Sequence, residues 1–438
     1  MSEFREHKNS SRLERVIGLQ SSLRLAALRL VSHLVAGAMV IMLALPALGQ
    51  DKEKITMWTG GGVYFETVQS FVPELLEAFP NLEFELVNDP RSPDRLLVAL
   101  ASGVAPDIVT QSTRNAPQFI ATGSFLPVDF EAIGVKDQAG FEELYFPGSL
   151  GTLLINGKAY YLPTEVTTFA TFLNRDMLNS SGVGAVPETW EGIRELGRRL
   201  SQLGPDGGFT REGVAIQRGG VWNAFHIVSM LRQLGIDWIS EEGTSNFLDE
   251  RAIAAFEVYA SIFLDGAANP RSDWTAFRDA RAAIYPGASY QHRQFTMAER
   301  ATIFEVEVAP YPRLESGTPV SPSYAWGFFV TNQSRNPQLA WKVAHFLTGP
   351  RFAERWFRQA SYLIPHRGDW LMEIYQTEPS WREFLDALNH AQVELSHPKY
   401  GEIVARLGAA ESRIVLREMD LRPSLEILNH ELNVILEN

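Results

Sequence analysis

The chain has 438 residues with 39 basic and 52 acidic side chains, no cysteine and a formal net charge of −13 at pH 7. Its 45% hydrophobic and 21% charged residues are typical of a foldable protein, and the length allows about two to three domains or one large two-lobed unit. The lack of cysteine excludes disulfides, thiolate metal sites, a cysteine nucleophile and lipidation of an N-terminal cysteine, while the acidic charge disfavours nucleic acid and anionic membranes as partners.

The N-terminal segment has the pattern of an export signal. Residues 1–50 contain six basic and three acidic side chains, and residues 34–45 form an unbroken apolar run. Twelve helical residues span about 18 Å, which is less than a hydrocarbon core of about 30 Å. Because the small residues Ala47 and Gly49 fit a cleavage site, we expect a signal peptide over residues 1–49 and export to the periplasm. An uncleaved membrane anchor is the alternative.

Strand and helix patterns alternate after this segment. Residues 54–58, 82–86 and 107–110 each predict a strand, and the apolar spacing of residues 68–79 predicts a helix that Pro73 kinks or divides. A strand, helix, strand, helix, strand order is typical of a parallel sheet covered by helices, so the sequence predicts the α/β class.

The remainder of the chain continues this mixture. Residues 158–163 and 168–173 predict two strands joined by a short connection, residues 190–200 an amphipathic helix, and residues 221–263 a continuous helical region rich in aromatic side chains. Residues 324–330 predict another strand, and the segment that follows to the C-terminus is helix-like.

Eight short motifs follow one another along nearly the whole chain after the predicted export signal. They are residues 55–58 (ITMW), 100–108 (LASGVAPDI), 123–127 (GSFLP), 157–163 (GKAYYLP), 173–176 (LNRD), 187–190 (PETW), 277–283 (FRDARAA) and 340–347 (AWKVAHFL). Each motif is weak alone. Together, in this order and spacing, they resemble the extracellular solute-binding proteins of ABC importers, in the sugar-binding group that contains maltose-binding protein.

The resemblance implies a type II periplasmic-binding-protein fold, in which each of two lobes is an open sheet flanked by helices and the ligand binds in the cleft between them. It further implies a monomeric carrier that delivers a sugar to the transmembrane subunits of an ABC permease, with no catalytic residue, metal or cofactor. The implied boundaries are 50–163 plus 331–362 for the N-terminal lobe, 167–325 plus 366–438 for the C-terminal lobe, and crossings near 163–166, 324–331 and 362–367.

Aromatic side chains beside glycines or at strand ends are the first candidates for ligand contact, because flat rings pack against the C–H faces of sugars. The candidates are Trp58, Trp222, Trp274, Tyr290 and Trp326. Packing in a hydrophobic core is the alternative for each of them, and it already explains the tryptophans on the apolar faces of predicted helices.

Polar candidates follow the predicted strands or lie in a predicted crossing. They are Gly61, Gln111, Ser112, Asn115, Glu165 and Arg367. In maltose-binding proteins, the acid that matches Glu165 binds sugar hydroxyls, so the resemblance assigns that role to it. A solvated loop carboxylate is the alternative for Glu165, and a surface ion pair is the alternative for Arg367.

The sequence leaves other ligands and one other class of protein open. A polyol, a glycerol phosphodiester or a polyamine would suit the same fold, and a phosphate group would require Arg114, Arg367 and Tyr290 to converge on the cleft. A secreted carbohydrate-active enzyme would instead require two carboxylates about 5–10 Å apart. No motif of a serine hydrolase, nucleotide-binding loop, zinc protease or calcium loop occurs in the sequence.

Overall fold

The computed structural model describes residues 52–296, 303–393 and 395–437. The predicted signal peptide, residues 1–49, lies outside the described residues, so its prediction stays a prediction.

The described strands form one mixed sheet of ten strands. The sheet runs β2-β1-β3-β9-β4-β7-β6-β5, while β10 also pairs with β9 and β8 also pairs with β4. The strands are β1 Glu53–Thr59, β2 Leu82–Asn88, β3 Ile108–Ser112, β4 Leu162–Asn174, β5 Gln202–Leu203, β6 Phe209–Val214, β7 Ala282–Ala288, β8 Val306–Ala309, β9 Ser321–Val330 and β10 Ala391–Val393.

Helices connect and cover these strands, together with short 3₁₀ turns at Pro147–Ser149, Ser289–Gln291 and Ala387–His390. The helices are α1 Val63–Ala78, α2 Pro93–Ala101, α3 Ala116–Ala121, α4 Gln138–Glu142, α5 Leu150–Leu153, α6 Arg175–Ser180, α7 Trp190–Leu200, α8 Val221–Gln233, α9 Glu250–Leu264, α10 Trp274–Arg278, α11 His292–Thr296, α12 Pro337–Thr348, α13 Pro350–Ala360, α14 Asp369–Thr377, α15 Pro379–Asp386, α16 Tyr400–Val415 and α17 Leu421–Glu437.

The order of elements agrees with the predicted α/β class, but the sheet is not purely parallel. Strand β1 pairs with β3 in parallel, and β6 pairs with β7 in parallel. Between these two parallel parts, β9 is antiparallel to both β3 and β4. The long strands β4 and β9 therefore form the middle of the sheet, between its two parallel parts.

Helix α1 is a single helix that contains Pro73, so the proline does not divide it. Phe71 and Leu75, on either side of Pro73, are both fully buried. Burial of two such side chains contributes about 3–6 kcal/mol, which offsets the roughly 3 kcal/mol cost of proline inside a helix.

Strand β4 corrects the prediction of two strands with a connection between them. It is one strand of 13 residues, all of them buried, and it includes the segment 164–167 that the sequence suggested was a break. Threonine and valine dominate that segment and favour strands, so it continues the sheet. Residues 158–161 precede the strand.

The predicted helical region 221–263 is two helices, α8 and α9, with an irregular connection. Gly235 and Gly243 lie in this connection at φ values of 72° and 81°. Left-handed conformations of this kind are common where a helix ends, and glycine adopts them most easily. The sequence did not predict the break because apolar residues continue at helical spacing across it.

Buried apolar side chains form two separate clusters. The first contains α1, β1, β3, α12 and α13, and the second contains α7, α8, α9, α16 and α17. Strand β4 contributes to both, since Val166 belongs to the first cluster and Phe169 to the second. Trp326 on β9 packs against both clusters. The exact lobe boundaries stay a prediction.

Candidate ligand-binding site

A cavity of about 270 Å³ lies where the two clusters meet. Four of the residues predicted from the sequence line it, namely Glu165, Trp222, Tyr290 and Trp326. They come from β4, the start of α8, the turn after β7, and β9, which are far apart in the chain. The volume is close to the lower end of the range for small-molecule pockets, about 300–1,000 Å³.

Three neighbouring strands place a row of three side chains in or directly beside this cavity. Ser112 at the end of β3 pairs with Trp326 on β9, and Trp326 pairs with Glu165 on β4. Directly paired residues project from the same face of a sheet, so these three side chains lie next to one another. Of the ten residues of β9, Trp326 alone is not buried.

A β-bulge decides which face Glu165 occupies. Pro163 pairs with Gly327, and the register then shifts so that Glu165, rather than Thr164, pairs with Trp326. One extra residue in a strand moves the next side chain to the opposite face. Without the bulge, Glu165 would point away from Trp326. The Thr164 hydroxyl, which donates to the Trp326 carbonyl oxygen at 3.1 Å, holds the bulge in place.

Glu165 is 4% exposed and is held by a neighbour on its own strand. The Thr167 hydroxyl donates to Glu165 Oε1 at 2.5 Å. Burial raises the pKa of the Glu165 carboxyl, and this effect exceeds the opposing effects of the Thr167 hydrogen bond, Arg91 and Arg114. The carboxyl is thus positioned for hydrogen bonds, and its charge is less favourable than in water.

The cavity wall opposite the strands comes from α8. Gly220 is the N-cap of this helix at φ 53°, and Trp222 follows it in the first turn. The Trp222 ring is half-buried and stands edge-on to Phe169, with ring centroids 5.8 Å apart. Tyr290 completes this wall, and burial raises its pKa to about 12, so the phenol stays protonated and can donate a hydrogen bond.

Six further residues line the cavity: Arg91, Arg114, Val221, Phe225, Tyr324 and Tyr362. Of these, Arg114 is a contact that the sequence predicts for a phosphate group. Arg114 and Arg91 each follow the carboxyl end of a strand, β3 and β2 respectively, so the rule that favoured polar residues after strands applies to both. Tyr362 lies after α13, at the start of the predicted crossing 362–367, but it was not among the predicted contacts.

Three predicted polar residues lie beside this cavity instead of lining it. Gln111 and Ser112 belong to β3 itself and are fully buried, whereas we expected them to follow the strand. Gln111 Oε1 accepts hydrogen bonds from the Ser112 amide and from Asn115 Nδ2. Ser112 Oγ accepts one from Arg114 Nε at 3.1 Å. Ser112 therefore helps to hold the Arg114 side chain in place.

The other predicted contacts lie elsewhere. Trp58 packs on the first cluster with the Arg95 guanidinium 5.0 Å above its ring. Trp274 also packs on the first cluster. Arg367 is exposed, and its Nε donates to the Tyr145 carbonyl oxygen at 2.8 Å. None of these three is among the residues that line the cavity in the described structure.

Gly61 is next to the site through its backbone. A Cβ atom at this position would lie 2.8 Å from Arg91 Nη2, and its φ of 95° is unfavourable for other residues. The glycine therefore permits the close approach of Arg91 to the loop between β1 and α1.

Within the described ranges, no group of three or more histidine, aspartate or glutamate side chains could hold a metal ion. Nor does any helix in those ranges have the length and apolar character needed to cross a bilayer.

Comparison with known proteins shows the family. A family model for bacterial extracellular solute-binding proteins matches residues 64–354. The chain belongs to this family. A Brucella abortus protein whose name describes it as a binding protein is 23% identical to this solute-binding protein over 380 residues, which cover 84% of this chain and 89% of the relative.

Solved structures of similar fold cover almost the whole described part. The sugar-binding protein MalE of Xanthomonas citri has 20% identity and a TM-score of 0.73, with 88% of this chain and 98% of that chain covered. A solute-binding protein of an ABC transporter from Thermotoga lettingae, bound with α-D-tagatose, has 19% identity and a TM-score of 0.73, with 88% and 100% covered. The predicted two-lobed α/β binding-protein fold is confirmed.

Proposed function

We propose that this solute-binding protein binds a mono- or oligosaccharide in the cavity between its two clusters and delivers it to an ABC permease. Membership of the solute-binding family supports the binding role. Proteins of the same fold that are named as sugar-binding, or that hold a ketohexose, support the choice of ligand. The fold alone would not justify that choice.

The observation that carries the proposal is the half-buried Trp326 ring at the junction of the two clusters, flanked by Glu165. An aromatic face beside a hydrogen-bonding carboxyl suits a sugar, which presents C–H faces and a rim of hydroxyls. The volume of about 270 Å³ suits about one ring in this conformation, and a longer sugar would extend outside it.

The position of the cavity supports the proposed delivery. Tyr362 packs against the first cluster and Trp222 against the second, and both line the cavity. A solute bound between them therefore links the two clusters and stabilises a closed arrangement. A permease that recognises the closed arrangement would distinguish loaded from empty protein. We propose a monomer in the periplasm, released by cleavage after Gly49.

A carrier is favoured over an enzyme by the carboxylates of the site. Glu165 is the only carboxylate among the described residues that line the cavity. Glycoside hydrolysis generally uses two carboxyl groups that flank the scissile bond. A polyamine is also disfavoured, because Arg91 and Arg114 line the same cavity and would repel a cation.

Titration calorimetry with neutral sugars, polyols and polyamines tests the proposal. We expect at least one sugar to bind, and we expect Trp326→Ala and Glu165→Ala each to weaken its binding at least tenfold, about 1.4 kcal/mol. Trp274→Ala is the matched control, because that ring packs outside the cavity. Tight binding of a polyamine without any sugar, or release of product from a bound oligosaccharide, would contradict the proposal.

A further inference from the structure

Two arginine side chains lie near the ring of the same tryptophan in the cavity. Arg91 Cζ lies 4.2 Å from the Trp326 ring centroid, and Arg114 Cζ lies 6.0 Å from it. Both residues line the cavity, and they reach it from the loops that follow β2 and β3. A neutral sugar requires hydrogen bonds but no positive charge, so two guanidinium groups in a cavity of this size need a separate explanation.

The structure builds Arg91 into its position. Arg91 has a φ of 59°, which residues other than glycine rarely adopt. Its backbone amide donates a hydrogen bond to Asp89 Oδ1 at 2.9 Å. Its guanidinium lies 4.9 Å from the Tyr64 ring centroid. The missing side chain of Gly61 leaves the space that Arg91 Nη2 occupies. A strained backbone kept by several contacts is typical of a functional position.

Arg114 is held by two aromatic rings and a serine hydroxyl. Its Cζ lies 4.3 Å from the Tyr324 ring centroid and 5.5 Å from that of Phe225, and its Nε donates to Ser112 Oγ. Tyr324 and Phe225 belong to the second cluster, whereas the Tyr64 ring under Arg91 belongs to the first. The two guanidinium groups thus pack against rings of different clusters, although both arginines follow strands of the first cluster.

The charge balance of the cavity is positive although the chain as a whole is acidic. Two arginines and one carboxyl group, that of Glu165, line it in the described residues, and burial raises the pKa of that carboxyl. Helix α8 also begins at the cavity with Val221 and Trp222, and its N-cap Gly220 offers no side-chain oxygen to the first amides. The positive end of its dipole therefore adds to the field of the arginines.

We propose that the transported solute carries an anionic group, a carboxylate or a phosphate, on a polyhydroxylated body, and that Arg91 and Arg114 bind this group beside Trp326. The inference rests on the proposed function and narrows its ligand to acidic or phosphorylated sugars. Guanidinium groups bind both anions through paired N–H donors, and the chemistry is shared between the two. Trp326 and Glu165 remain available for the sugar ring and its hydroxyls.

Matched sets of ligands test the inference by titration calorimetry on the mature protein. Each set contains a neutral sugar, its uronate and its 6-phosphate, built on glucose in one set and on galactose in the other. We expect an anionic member to bind at least about tenfold more tightly than the neutral sugar of its set, with an affinity that falls as salt is added. Whether the uronate or the phosphate binds more tightly identifies the anion.

Variants of the two arginines test whether they cause the preference for an anionic ligand. We expect Arg91→Gln and Arg114→Gln each to lower the affinity for the anionic ligand at least tenfold and to reduce its salt dependence. Arg91→Lys keeps the charge without the planar fork, so it should keep the salt dependence. Arg278→Gln is the control, because Arg278 lies 5.0 Å from the Trp274 ring centroid in the same geometry but outside the cavity.

The possible failures can be told apart. A neutral sugar that binds as tightly as its uronate and its phosphate would overturn the inference and leave the proposed sugar receptor intact. Failure of every neutral and anionic member to bind would overturn the proposed function as well. Unchanged preference in both glutamine variants, with thermal midpoints equal to that of the parent protein, would also overturn the role of the two arginines.

Discussion

Two helices of the protein begin with the same pattern, two glycines and a valine followed by an aromatic residue. Residues 61–64 (GGVY) begin α1, and residues 219–222 (GGVW) begin α8. The N-cap glycines, Gly62 and Gly220, both have a φ of 53°, with ψ values of −119° and −134°, and neither helix start has a side-chain cap. The same local sequence therefore produces nearly the same backbone.

The aromatic residues of the two starts nevertheless have different surroundings. Tyr64 is fully buried beneath Arg91, and its hydroxyl contacts the Thr164 hydroxyl at the bulge of β4. Trp222 is half-buried and lines the cavity. A glycine-rich helix start thus places an aromatic side chain near the cavity, and the elements packed over that side chain decide whether it lines the cavity.

The largest loss of stability should come from removing the buried carboxylate that supports the start of α8. The Glu411 carboxylate on α16 is fully buried and accepts bonds from Arg218 Nε at 2.5 Å and Nη2 at 2.8 Å, and from Asn223 Nδ2. We expect Glu411→Ala to lower the free energy of unfolding by about 3–5 kcal/mol, because it leaves Arg218 unpaired. Urea denaturation measures this value.

A more exposed ion pair in the C-terminal half of α1 provides the control. Glu74 on α1 bonds Arg351 and Arg355, but its side chain is 30% exposed. We expect Glu74→Ala to lower the free energy of unfolding far less than Glu411→Ala, because solvent screens an exposed ion pair. Equal losses in the two variants would show that the second start does not depend on its buried pair.

Trp222 and Tyr64 should differ in their effect on ligand affinity. We expect Trp222→Ala to weaken binding by about 2 kcal/mol, roughly thirty-fold in Kd, because its ring lines the cavity. Tyr64→Phe should change Kd less than about threefold, since that ring is covered by Arg91. Calorimetry measures both, and a larger loss for Tyr64→Phe would reverse the assignment of the two rings.

The two N-cap glycines should respond alike, since their backbones match. A Cβ atom at Gly62 or Gly220 would meet no heavy atom within 4 Å, so only the backbone conformation opposes alanine. We expect each Gly→Ala variant to lower stability by about 1–3 kcal/mol. Gly401→Ala in α16 is the control with open space and ordinary helical geometry, and it should stabilise by about 0.5–1 kcal/mol. Unequal losses at Gly62 and Gly220 would mean that their surroundings matter.

The second helix start should also be the more acid-sensitive. Burial lowers the pKa of His226 on α8 to about 3, and its Nδ1 contacts the Tyr311 hydroxyl at 2.8 Å. An unfolded histidine binds a proton near pH 6.5, so the unfolded state gains protons first and stability falls as the pH drops from about 6.5 toward 3. The slope for this residue is at most about 1.4 kcal/mol per pH unit.

Urea denaturation between pH 7 and pH 4.5 measures this effect. We expect His226→Gln to reduce the pH dependence of the free energy of unfolding by up to one proton. An unchanged slope in His226→Gln would mean that the remaining buried histidines, such as His292 and His366, account for the acid sensitivity.

The sequence by itself determined the α/β class, most strands and the helix starts, because apolar period and glycine position are local properties. It also singled out Glu165 and Trp326, since both lie in segments that the family resemblance placed between the lobes. Local patterns missed the continuity of β4. They predicted that residues 164–167 connect two strands, whereas this segment pairs with β9 and continues one strand.

Only the tertiary structure decided which side chains share the cavity. The bulge of β4 turns Glu165 toward Trp326, and the loop after β2 brings Arg91 over the same ring. Trp58 has the same local setting of strand end and glycine, yet Arg95 and the first cluster cover it. Side-chain direction depends on register and on packing between segments distant in the chain, which no local period encodes.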